Sequence, residues 1–140
     1  MEKIAKRTVS LRREAEGIYI ATNAAGAELR FGPNAEGGFG NVELLLAAVA
    51  GCSGTDLDVM TCRRAEPTRW GATVTADKVS TDGATILRDI VVTFHVEFPE
   101  GDDGDKARAR VAPALKSAHE KTCTISRTIE LGSKVTLQAD

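Results

Sequence analysis

Three side chains in this sequence combine nucleophilic and metal-binding chemistry, Cys52, Cys62 and Cys123, and the surroundings of each sulfur decide what it can do. Cys52 stands in Ala50-Gly51-Cys52-Ser53-Gly54, where small neighbours let another group approach the sulfur. The two flanking glycines each weaken a helix by about 1 kcal/mol relative to alanine. Cys123 stands in His119-Glu120-Lys121-Thr122-Cys123-Thr124-Ile125-Ser126, at a boundary between two helical stretches. The free N–H groups of a helix N-terminus favour a thiolate placed there, so Cys123 is expected to be acidic. Cys62 follows Cys52 on the same helix, about 80° around it, and reads as structural filler. An odd number of widely spaced cysteines does not suit a disulfide framework, so reduced thiols in the cytoplasm are expected.

Packing alone also accounts for any one cysteine, which behaves as a small hydrophobe. A zinc site is a further possibility, because His119-Glu120-x-x-Cys123 imitates a His-Glu-x-x-His pair and Cys52, Cys62 and His95 could complete the ligands. Thiol-rich zinc sites usually contain close Cys pairs, which this chain lacks, so no metal is expected. Gly37-Gly38-Phe39-Gly40 lacks the patterns of nucleotide-binding loops and reads as a loop without a ligand.

The elements that position the thiols follow from periodicity. Residues 5–32 alternate through Val9, Leu11, Ile18, Ile20, Leu29 and Phe31, which predicts a three-stranded antiparallel meander. A glycine-rich loop leads to Asn41, an expected N-cap with Glu43 in the first turn, and a helix from Val42 to about Arg64 that Pro67 stops. Leu44 to Ala50 is apolar on every side, so this central helix must be buried all round. A chain of 140 residues has difficulty doing that alone, which points to a second subunit. A hairpin follows, with Trp70, Ala72, Val74 and Ala76 on one face, Ile86, Ile90, Val92, Phe94, Val96 and Phe98 on the matching face, and Thr81-Asp82-Gly83 between. Asp102 to Lys121 is predicted helical, with Pro113 kinking the helix or starting a new one. A further helical turn from Cys123 ends at Gly132, before a closing strand from Lys134 to Ala139. The order is that of a single α+β domain over residues 1–140.

Eighteen Lys and Arg against twenty Asp and Glu leave no basic excess for phosphates, so nucleic acid is disfavoured as a partner. The longest apolar run, Leu44 to Gly54, is too short to span a bilayer, and no membrane association is expected.

Glu43-Leu44-Leu45-Leu46-Ala47-Ala48 through Gly51-Cys52, followed by Ala118-His119-Glu120-Lys121-Thr122-Cys123-Thr124-Ile125-Ser126, resembles the OsmC/Ohr family of osmotically inducible proteins and organic hydroperoxide reductases. The resemblance implies antiparallel sheets around a central buried helix in an intertwined homodimer with its sites at the subunit interface. It also implies thiol-dependent reduction of organic hydroperoxides, with Cys52 peroxidatic and Cys123 resolving. No bound cofactor is required, and a dithiol, such as a lipoyl group, would restore the thiols. In the family an Arg from the N-terminal strands, held by a Glu at the start of the helix, offsets desolvation of the peroxidatic thiol. Glu43 and Arg13 are the candidates here, Arg13 following Leu11 on the same strand face. The family's peroxidases have that Glu where this chain has Val42, and Glu43, one position later, matches its OsmC-like branch. A non-catalytic homodimer binding a small apolar or thiol-bearing ligand is the alternative.

Overall fold

Alternating side chains give the first strands their two faces. In the computed structural model, which describes residues 1–140, β1 (Val9–Ala15), β2 (Ile18–Asn23) and β3 (Glu28–Phe31) form the expected antiparallel meander. Pairing runs from Val9 opposite Asn23 to Arg13 opposite Tyr19, and from Tyr19 opposite Phe31 to Thr22 opposite Glu28. Two compact units make up the chain, Met1–Leu45 and Leu46–Asp140. In the first, Ile20 is buried and the rings of Tyr19 and Phe31 lie 6.1 Å apart. The glycine-rich loop is tied to β3 by the Gly32 N–H, which donates to the Phe39 carbonyl at 2.9 Å.

The central helix, α1, spans Asn41–Thr61. Asn41 is its first helical residue rather than its cap: the preceding Gly40 N–H donates to Glu43 Oε1 at 2.8 Å, the reciprocal half of a capping box. Within the single chain, α1 is buried along one face. Val49, Gly54, Leu57 and Thr61 are the buried residues of α1, whereas Leu45 and Val59 stay exposed. With 21 residues, α1 is long and apolar enough to cross a membrane by length and composition, which corrects the shorter run read from the sequence. A buried face bearing Thr61 is also what the core helix of a folded domain presents.

In the second unit, β4 (Arg69–Thr81) and β5 (Ala84–Glu97) pair as a long antiparallel hairpin. Its turn is Asp82-Gly83, both at positive φ (51° and 80°), the primed geometry that matches strand twist. Trp70 faces Val96, Ala72 faces Phe94 and Val74 faces Val92, as alternation predicts. Ile86 does not continue that face. Asp89, at φ 54°, adds a residue to β5 within the irregular stretch opposite Thr75–Asp77, and the phase inverts beyond it. Leu87 is consequently half-buried while Ile86 is 61% exposed.

The helix α2 (Asp102–Ser117) runs through Pro113 without ending there. A π-helical turn, Ala118–Thr122, follows, and α3 (Thr124–Leu131) begins after Cys123 and closes at Gly132 in the left-handed conformation. The closing strand expected over 134–139 does not form. Val135 and Leu137 alternate correctly, but no strand pairs with them, and they are 80% and 92% exposed.

Candidate functional site

The second unit brings the two cysteines of the paired segments together. Cys123 occupies the cap position of α3, with φ −78° and ψ 96°, between the π-helical turn and the helix, and is completely buried. Cys52 is half-buried on α1, near enough to Cys123 for each thiol to alter the other's hold on its proton. Both sulfurs meet the open N-terminus of α3: the N–H groups of Ile125 and Thr124 address Cys52, and that of Ser126 addresses Cys123.

Two hydroxyls complete the surroundings of Cys123. Its thiol donates to Ser126 Oγ at 3.1 Å, and Ser53 Oγ lies 3.3 Å from its sulfur on the α1 side. When the proton leaves, both hydroxyls can turn and donate to the thiolate. Burial raises the Cys123 thiol, but the Ser126 and Ser53 hydroxyls, the Ser126 N–H and the Cys52 thiol together outweigh it and hold its pKa below the ordinary thiol value. Cys52 moves the other way. Burial pushes it up, the α3 N–H groups only partly oppose this, and Cys123 adds to the rise. The pair therefore places its first negative charge on Cys123.

The turn before Cys123 is held from several sides. The Cys123 N–H closes the wide turn onto the Ala118 carbonyl at 2.9 Å. Thr122 Oγ1 donates to Asp56 Oδ2 of α1 at 2.9 Å. His119 Nε2 and Glu130 Oε1 hydrogen-bond at 2.9 Å, and Arg127 Nη1 donates to the Glu120 carbonyl.

Beside this cluster is a cavity of about 300 Å³. Val49, Ile90, Val92, Phe94 and Ile129 give it apolar walls, and Ser53, Ser126, His119 and Glu130 supply its polar groups. Ser53 and Ser126 thus contact both the cavity and the buried Cys123 sulfur. A mostly apolar chamber with a few convergent polar groups is the usual form of a small-molecule site.

The other sequence candidates have local settings of their own. Cys62 donates to Asp58 Oδ1 at 3.1 Å, and burial chiefly, then the Asp58 carboxylate, keep its proton on. Glu43 and Arg13 belong to the first unit, where Glu43 caps α1 and Arg13 is exposed without an ion pair. Arg12 and Arg30 are committed to Glu28 and Glu14. The zinc arrangement is not built, since no three His, Cys, Asp or Glu side chains converge. Sequence reasoning missed Ser53, Ser126, Asp56 and Thr122. A serine three positions into a helix capped by cysteine was the readable signal for Ser126, and nothing comparable marks the Asp56–Thr122 contact.

Residues 32–138 match the family model for OsmC-like protein. The chain belongs to the OsmC-like family. Among solved structures, this OsmC-like chain is similar to a hypothetical protein from Aquifex aeolicus VF5, with 20% identity, 93% of this chain and 91% of that one covered, and a TM-score of 0.72. It is also similar to the OsmC-like protein from Mycoplasma pneumoniae, at 18% identity, 93% and 89% coverage and a TM-score of 0.68. The organic hydroperoxide resistance protein OhrB of Bacillus subtilis matches at 24% identity, 91% and 93% coverage and a TM-score of 0.54. At these identities the likeness is one of fold. A search of curated protein sequences found no match.

Proposed function

We propose that this OsmC-like protein is a thiol-dependent hydroperoxide reductase acting on organic peroxides in the cytoplasm, as a homodimer, through Cys52 and Cys123. The observation that carries this reading is that the N-terminus of α3 serves both sulfurs, a half-buried Cys52 and a buried Cys123 that Ser53, next to Cys52 on α1, touches at 3.3 Å. Hydroperoxide resistance in the name of OhrB is consistent with it.

The Cys52 thiolate attacks the terminal oxygen of the peroxide, the O–O bond breaks, and the departing alkoxide takes a proton to become an alcohol. Cys52 is left as a sulfenic acid. The Cys123 thiolate then attacks the Cys52 sulfur, a disulfide forms, and the hydroxide leaves as water with a second proton. An external dithiol, of which a lipoyl group is one example, supplies two electrons and restores both thiols. Two features suit these roles: Cys52 is the more accessible sulfur, and Cys123 is the more readily ionised one, as a resolving nucleophile should be. Because burial holds the proton on Cys52, its activation requires a cation, for which Arg13 is the proposed source. Arg13 has no carboxylate partner in its sheet, and Glu43 uses Oε1 to cap α1. The exposed apolar side chains of α1, Val42, Leu45 and Val59, form a surface that a second copy would cover, which supports the dimer.

Turnover of a bulky organic peroxide with a dithiol tests the reading. An apolar site gains about 0.8 kcal/mol per buried methylene of substrate, so the organic peroxide should outpace hydrogen peroxide. Cys52→Ser should abolish turnover, Cys123→Ser should permit one oxidation and then stall, and Cys62→Ser should leave turnover nearly intact. Equal loss in folded Cys52 and Cys62 variants would overturn the assignment. If the wild type turned over no peroxide with any dithiol, the cavity and the protonated Cys52 would favour the second reading, a non-catalytic homodimer holding a small apolar or thiol-bearing ligand.

A further inference from the structure

We infer that Asp56 and Thr122 form a latch that positions Cys123 against Cys52, a role that rests on the thiol chemistry proposed above. Thr122 is the last residue of the π-helical turn and directly precedes Cys123. Its Oγ1 donates to Asp56 Oδ2 at 2.9 Å and also lies 3.4 Å from the Ser117 carbonyl oxygen. Asp56 is four residues after Cys52 on α1, one helical turn along the same side. The hydrogen bond therefore fastens the residue before one thiol to the helical turn just beyond the other.

The surrounding backbone explains why a latch is needed. Cys123 interrupts two helical segments in an extended conformation, and its N–H reaches back five residues to Ala118 in a widened turn. Such turns occur mostly as isolated features, often at functional sites. Helical hydrogen bonding does not set the direction in which a residue at this kind of break projects its side chain. The Thr122–Asp56 bond adds that constraint from α1, beside the Ser53 contact to the Cys123 sulfur itself. Asp56 takes part in no ion pair, so its carboxylate is free for this one hydroxyl.

Equilibration with glutathione and its disulfide tests the inference without any peroxide. Cys52 and Cys123 give two electrons and two protons to glutathione disulfide, their S–S bond forms, and two glutathione molecules are released. The equilibrium reports the effective concentration of one thiol at the other. Thr122→Val, which removes the hydroxyl at nearly constant size, should lower it roughly tenfold, since small misplacements of reacting atoms carry penalties of this order or larger. Thr122→Ser should recover the wild-type value to within about twofold, as the hydroxyl alone is required. Asp56→Ala removes the same bond from α1 and serves where Thr122→Val does not fold. A wild-type effective concentration in a folded Thr122→Val or Asp56→Ala protein overturns the latch, as does a shared fall in thermal stability with the thiol equilibrium unmoved. Absence of peroxide turnover with the expected glutathione equilibria would instead overturn the reductase reading and leave the latch standing.

Discussion

Replacing Ser126 with alanine isolates the feature that makes the two thiols unequal. Its Oγ lies 3.1 Å from the Sγ of the completely buried Cys123, and the Ser126 backbone N–H is unaffected by the change. A hydrogen bond to a charged group contributes about 1.5–3 kcal/mol. The diffuse charge of sulfur and the remaining Ser53 hydroxyl at 3.3 Å favour the lower end of that range. One pKa unit corresponds to about 1.4 kcal/mol, so Ser126→Ala should raise the Cys123 pKa by about one unit. Ser53→Ala should act in the same direction and less strongly. A Cys62→Ser background labelled with carbon-13 at cysteine Cβ lets nuclear magnetic resonance follow Cys52 and Cys123 separately through a pH titration. The sign extends to stability. A thiol whose folded-state pKa is depressed stabilises the fold above its unfolded pKa, and that contribution disappears as pH falls through the folded value. Ser126→Ala should therefore shrink the stability that Cys123 adds on raising pH through the thiol range. A folded Ser126→Ala protein in which Cys123 titrates at or below its wild-type midpoint would refute the assignment of the lowered pKa to these hydroxyls.

Two further substitutions probe the scaffold. Leu57 is fully buried on α1, and Leu57→Ala should cost about 2–5 kcal/mol in denaturant unfolding; a cost well under that range would mean that this face of α1 is not packed as described. Glu43→Ala should lose about 0.5–2 kcal/mol with its half of the capping box, whereas Glu43→Gln should keep most of it, and equal losses in the two variants would assign Glu43 a role that needs its charge.

Patterns that depend on one local period were readable from sequence. The meander and the Asp82-Gly83 hairpin follow from alternation and turn chemistry, and both form in the stated places. The inverted phase at Ile86 was not readable, because the residue in the left-handed conformation is Asp89 rather than glycine. Pro113 left two outcomes open, a kink or a new helix, and α2 runs on through it, so no new helix starts there. The 134–139 segment shows that alternation licenses a strand only where an edge is ready to receive it. At the site, the cysteines were conspicuous through their types and their paired segments. Ser53 and Asp56 were not, because one turn of a helix rich in small residues looks like any other until a second element packs on it.

The complete burial of Cys123 separates readiness from reach. The thiol that gives up its proton more easily is closed to solvent, and the half-open Cys52 keeps its proton. An electrophile diffusing in from solvent can approach Cys52 but meets a poor nucleophile there, while the better nucleophile is shielded by the helix and the turn on either side of it. Adventitious alkylation, mixed-disulfide formation and the irreversible upper steps of sulfur oxidation all require both an ionised sulfur and room for the reagent. Until a cation activates Cys52, neither sulfur offers both, so the chain can hold a reactive pair in a thiol-rich milieu without spending it on bystanders.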